Sequence, residues 1–294
     1  MVMNSQYLSK EQVLIVGCGD IGWRLAQCLS QDAYSVTGLR RNPPEDLPYL
    51  RYQACDVINA EKLSETLRQD ISVIVISMTP SERSDVGYQR AYVQTCQNLV
   101  EGLRTNHCKP RLVIFVSSTA VYAQMDGSWV DENSPVEPES FSGKRLLEAE
   151  AIIQKSGFAN TVVRFSGIYG PNRNRLIEQV RQGKASASTH FTNRIHADDC
   201  ARSLAHLIEI HRKGEKLQPV YLATDSASAT MLEVVTWLAE QMGVAEFLSE
   251  SATNDRGNKR CGNQCLLDSG FVFRYPDYRE GYEAVISKRT DSDS

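Results

Sequence analysis

The chain has 294 residues, is 41% hydrophobic and 23% charged, and carries a formal net charge of −4. That composition excludes disordered, collagen-like and disulfide-scaffold classes, and the slight acidity excludes the clustered positive charge on which sequence-independent nucleic-acid binding depends. Eight scattered cysteines suit a reducing compartment, and no run approaches the ~20 apolar residues of a bilayer span, so the expected setting is cytoplasmic, with a small-molecule partner and no membrane.

In chain order, short apolar runs alternate with amphipathic stretches, the pattern of consecutive βαβ units. Strands are predicted at 13–16, 34–39, 52–55, 73–77, 112–117 and 161–165, with a shorter one at 220–223 at the sheet edge. Tyr92, Cys96, Leu99, Val100 and Leu103 form the stripe of a crossover helix. A second helix is expected over 144–155, with Leu146, Leu147, Ala151 and Ile152 inward and Gly157 ending it. From Gly170-Pro171 to Asn193 the alternation fails, and substrate-side segments are expected there. Thr230 and Glu233 have capping-box spacing and open a helix carrying Val234, Val235, Leu238 and Met242. The polar tail 289–294 is expected to fray.

Between the first strand and its helix the chain reads Gly17-Cys-Gly19-Asp-Ile-Gly22, a G-x-G-x-x-G in the context that gives it weight. Gly17 permits the tight turn, Gly19 lets the main chain approach a pyrophosphate, and Gly22 lets helix pack on strand. The second strand ends Gly38-Leu39-Arg40-Arg41, with no carboxylate for a ribose 2′-hydroxyl and two guanidinium groups for a 2′-phosphate. NADP is therefore expected rather than NAD. Asp56, after the third strand, either approaches the adenine amine or caps the next helix. Asp20 and Ile21 in the turn and Ser77 at the end of the fourth strand complete the expected cofactor contacts. The expected fold is α/β: a Rossmann-type doubly wound parallel sheet over 1–170, a smaller substrate-binding region over 171–294, and 195–225 returning to the sheet.

Four stretches in order, Gly17-Cys-Gly-Asp-Ile-Gly22, Ser117-Ser118-Thr-Ala-Val-Tyr122, Arg164-Phe-Ser-Gly-Ile-Tyr-Gly-Pro171 and Arg194-Ile-His-Ala-Asp-Asp199, resemble landmarks of the NAD-dependent epimerase/dehydratase family, the extended short-chain dehydrogenases. The resemblance implies that Ser118 holds the substrate oxygen and that Lys144 binds the nicotinamide ribose. It also places Ser117 and Ser166 at the cofactor, and Arg173, Arg175 and Arg194 where family members hold a nucleotide-sugar diphosphate. Homodimers are common in the family. The family's Tyr, four residues before the Lys, is Ser140 here. A serine is far less acidic than a phenol, so Tyr122 is the alternative proton donor, or else a packed aromatic. The expected function is an NADP-dependent oxidoreductase or nucleotide-sugar epimerase-like enzyme with an atypical active site. The alternative is a noncatalytic NADP-binding redox sensor or scaffold. No metal is expected: Cys261 and Cys265 lack a second ligand pair nearby. Asp198 and Asp199 are expected to cap a helix starting near Cys200, with His196 structural.

Overall fold

The computed structural model describes residues 10–29, 31–244 and 257–290. Its residues fall into two compact units: unit 1 comprises Met1–Val116, Glu148–Thr161 and Leu207–Leu217, and unit 2 comprises Ser117–Leu147, Val162–His206 and Gln218–Ser294. The chain thus passes between the units several times.

Unit 1 opens with β1 (Glu11–Val16), α1 (Asp20–Cys28), β2 (Tyr34–Arg40), β3 (Arg51–Ala54), α2 (Ala60–Thr66) and β4 (Ile71–Ile76). Then come α3 (Thr95–Thr105) and β5 (Leu112–Ser118). β1 pairs in parallel with both β2 and β4, β2 with β3, and β4 with β5. With β6 (Asn160–Phe165) and β7 (Val220–Ala223), the seven-stranded sheet runs β7-β6-β5-β4-β1-β2-β3. Val13 to Val16 of β1 and Val73 to Ile76 of β4 are all buried, as central strands covered on both faces must be, whereas β3 at the edge is largely exposed. The order reverses between β1 and β4, the point where doubly wound sheets open a crevice at the strands' carboxyl ends.

The predicted strands match within two residues at each end, and Val220–Ala223 lies at the sheet edge as expected. The crossover stripe is real, but its first turns, Gln89–Gln94, are π-helical, and Tyr92 sits in them. The helix expected over 144–155 is α4 (Phe141–Gln154), and its inward face differs from the expectation. Leu146, Ala149, Glu150 and Ile153 are buried, while Leu147, Ala151 and Ile152 are only half-buried. The i, i+3, i+4, i+7 row is the one that faces inward, and the charged Glu150 within it hid that face.

Within unit 2 the stretch expected to carry substrate-side segments holds a helical segment, Arg175–Arg181, burying Ile177 and Val180. Next comes α5 (Ala197–Arg212), which starts at Ala197 instead of near Cys200. The two aspartates therefore lie inside the first turn rather than at its cap, contrary to the expectation. Asp199 is buried and accepts hydrogen bonds from Arg274 N (2.8 Å) and Tyr275 N (2.9 Å), tying down a distant loop. His196 is structural as expected, its Nδ1 accepting from Asp198 N at 3.1 Å and its ring packed near Tyr169 and Tyr275. α6 (Met231–Met242) begins with the full capping box and ends at Gly243 with φ +64°. Its Val234, Val235 and Leu238 join Tyr169, Ile177, Val180 and Tyr278 in one apolar core. The last helix, α7, spans Tyr278–Thr290; residues 291–294, most of the tail expected to fray, lie outside the described residues.

Candidate functional site

The turn from β1 into α1 is built around glycines. Gly17 has φ +79°, and a Cβ there would strike Met78 Sδ and lie 2.9 Å from the Ser77 carbonyl oxygen. A Cβ on Gly22 would lie 2.9 Å from Cys18 Sγ and 3.1 Å from Ile15 Cγ2, so a side chain there would push α1 off β1. Gly19 is different: the nearest atom to its Cβ position is 4.0 Å away, so its main chain borders open space. Gly19 is also the N-cap of α1, and no side chain caps that end. Asp20, in the first turn, pairs with Arg24 one turn on at 2.9 Å. The N-cap residue supplies no side chain to close the first turn of α1, an arrangement that suits a phosphate.

The turn at Gly17 and Gly19 borders a cavity of about 240 Å³ whose lining residues all belong to unit 1. Gly17, Gly19, Arg40, Arg41 and Asp56, all expected from sequence, line it. Asp20, Ile21, Gly22 and Ser77 do not. The cap of α2 is Asn59, whose side chain accepts from Lys62 N at 3.0 Å, so that role does not belong to Asp56. Sequence reasoning missed Cys18, Leu39, Cys55, Val57 and Ile58, and also Met78, Thr79, Ser81, Gly87 and Ala91, which complete the wall. The usable signal for Met78 and Thr79 was their position just past β4, beside the strand-order reversal; Gly87 and Ala91 carried none. Burial pushes the Cys18 thiol up to about 12, so it packs beneath the turn as a neutral group.

The remaining expected residues belong to unit 2. Ser117 is buried, and Ser118 Oγ accepts from Ala120 N at 3.2 Å, capping the short turn Thr119–Val121. Tyr122, 3% exposed, donates its hydroxyl to Asp131 O (2.8 Å) and accepts from Arg164 Nη1 (2.9 Å). Burial pushes this phenol up to about 12 against the opposing pull of Arg164. Ser140 precedes α4, where its hydroxyl accepts from Gly143 N at 3.2 Å, an N-cap role that serine fills better than tyrosine. Lys144 is exposed in the first turn of α4. Ser166 Oγ donates to Thr224 Oγ1 at 3.1 Å. Arg173 and Arg175 are exposed, but Arg194 is buried and donates to Thr192 Oγ1 at 2.7 Å.

A reversed parallel sheet with a glycine turn, an uncapped helix end and a cavity at the carboxyl ends of its strands defines a Rossmann-type protein. The model of the NAD dependent epimerase/dehydratase family matches residues 13–232. A Methylobacillus flagellatus protein described as a candidate NAD-dependent epimerase/dehydratase is 34% identical, with a TM-score of 0.82 over 96% of this chain and 100% of that one. Protein YeeZ of Escherichia coli K12 is 28% identical over 279 residues, 91% of this chain and 97% of its own. MoeE5, solved in complex with UDP-glucose and NAD, is 25% identical, with a TM-score of 0.76 over 96% and 100% of the two chains. The chain belongs to the NAD-dependent epimerase/dehydratase family. No helix among the described residues is long and apolar enough to cross a membrane.

Proposed function

We propose that the protein binds NADP in the unit 1 cavity and acts as an oxidoreductase or epimerase-like enzyme on a small carbonyl, hydroxyl or nucleotide-sugar substrate. The observation that carries this reading is that Arg40 and Arg41 line the same cavity as Gly17 and Gly19. A pyrophosphate would take the amides at Gly19 and the start of α1, and a 2′-phosphate would take the paired guanidiniums, which offer charge-assisted bonds. Asp56, in the wall of the same cavity, would take the adenine amine. MoeE5, with its bound UDP-glucose and NAD, supports the substrate class. When bound, the nicotinamide supplies hydride transfer. Ser118 and Lys144 keep the roles that the family pattern implies, the substrate oxygen and the ribose. Tyr122 is assigned to the frame, because its hydroxyl is engaged on both sides.

The test is titration of the purified protein with NADPH and NADH by fluorescence. NADPH is expected to bind at least about tenfold tighter, and Arg40→Ala with Arg41→Ala to weaken NADPH about 100-fold while sparing NADH. Failure of both nucleotides at millimolar concentration ends the reading. A second reading, an NADP-binding redox sensor or scaffold without turnover, is favoured by one observation: Ser140 stands at the family's tyrosine position and serves as a cap. Turnover of any carbonyl or sugar nucleotide by the NADPH-loaded protein dismisses it.

A further inference from the structure

Of the two guanidiniums in the unit 1 cavity, Arg40 ends β2, whereas Arg41 belongs to the loop that follows. The main-chain oxygen of Arg40 accepts from Cys55 N at 2.9 Å, which fixes one end of that loop. The chain then runs through Arg41, Asn42, Pro43, Pro44 and Glu45, all exposed, before β3 begins at Arg51. The prolines each hold φ near −65°. A loop fastened at one end alone would still have to be ordered at every binding event, and that lowers affinity.

Asp46 fastens the other end. Its Oδ1 accepts from Tyr52 N at 2.6 Å. β3 is the end strand of the sheet. Main-chain N–H groups of successive residues in a strand point to opposite sides, and Cys55 N reaches across to β2. Tyr52 N, three residues earlier, therefore faces the open edge, and the Asp46 carboxylate takes the place of a neighbouring strand there. Directly after it, Leu47 N donates to Leu50 O (2.9 Å) and Leu50 N to Leu47 O (3.0 Å), closing a turn whose Leu50 side chain is buried. The span 41–45 is thus held by main chain at Arg40 and by a side chain at Asp46. Arg40 and Arg41 line the cavity, and Asp46 does not.

We propose that Asp46 is a positioning residue for the cofactor's 2′-phosphate: it keeps Arg41 in the cavity wall and so sets the preference for NADPH over NADH. This rests on the NADP reading above. A carboxylate that follows the second strand has another possible role, accepting a bond from a ribose 2′-hydroxyl, which favours NADH. Removal of the carboxylate moves the nucleotide preference in opposite directions under the two roles, so the two are separable.

The experiment is fluorescence titration of the full-length wild type, Asp46→Ala and Asp46→Asn with NADPH and with NADH. Asp46→Ala is expected to raise the Kd for NADPH about tenfold and to leave that for NADH within about twofold. Asp46→Asn keeps an acceptor oxygen at the same place and is expected to hold the wild-type preference within about twofold. An unchanged preference in Asp46→Ala overturns the proposal, as does an equal loss for both nucleotides, which marks a purely structural role. A greater loss for NADH assigns the carboxylate to the ribose, and loss of the preference in Asp46→Asn assigns the effect to charge; either result overturns it too. Trypsin cleavage after Arg41 reads the fastening without any cofactor: Asp46→Ala is expected to be cut about tenfold faster than the wild type, and equal rates reject the anchor. If the wild type shows no preference for NADPH, the NADP reading fails by itself, whatever the trypsin result.

Discussion

Units 1 and 2 treat buried polar groups differently. In unit 1 the buried Asn98 amide donates to Ile58 O at 2.8 Å, and the Thr66 hydroxyl donates to Leu63 O at 2.7 Å. Among the described residues, every buried side-chain N or O atom left without a partner belongs to unit 2, including Tyr169 OH, His190 Nδ1, Asp225 Oδ2 and Tyr278 OH. A buried polar atom without a partner costs about 1–3 kcal/mol, so each such atom in unit 2 is a place where a further donor or acceptor would add stability. Unit 1 frames its cavity with main chain and a glycine turn, and this needs no unpaired interior groups.

The harshest way to break that contrast is Gly17→Ala. The residue would need φ +79° and would press its methyl against Met78 and the Ser77 carbonyl. We expect a loss of about 2–4 kcal/mol in stability and at least about a 100-fold rise in the Kd for NADPH, read by urea unfolding and fluorescence titration. An unchanged Kd would show that the turn is not the anchor.

Asp225→Asn sharpens the contrast from the other side. Burial pushes this carboxyl up to about 8, against the pull of the Arg194 guanidinium. Its folded pKa therefore lies above the unfolded value near 3.8, so folding favours the protonated form and the wild type loses stability as pH rises from about 4 to about 8, flattening beyond. The neutral amide escapes that penalty. The variant should gain on the wild type across this window, by a few kcal/mol (order of magnitude) at pH 8. Equal stability differences at pH 5 and pH 8 would mean that Asp225 does not titrate between them.

The smallest effect is expected at the cap of α6. Thr230 Oγ1 accepts from Glu233 N at 3.2 Å, and Glu233 Oε2 accepts from Thr230 N at 2.7 Å. Thr230→Ala should cost about 1 kcal/mol and lower Tm by about 2 °C, leaving NADPH affinity as in the wild type. A weakened cofactor affinity would contradict the assignment of that site to unit 1.

The amino-acid sequence by itself determined the parallel α/β class, the strand positions, the glycine turn and the capping box. Each of these follows from local causes: hydrophobic period, the φ that only glycine adopts readily, and a side chain reaching three residues along its own helix. Only the tertiary structure decided which residues share a wall. Lys259 meets the carbonyl of Tyr122 across 137 residues, and Asp199 meets Tyr275 across 76. The Ser140 hydroxyl turned out to be a helix cap, and the Tyr122 hydroxyl a bridge between Arg164 and Asp131. Neither periodicity nor motif spacing encodes such meetings, because they arise when strands distant in the chain pair and carry their loops together.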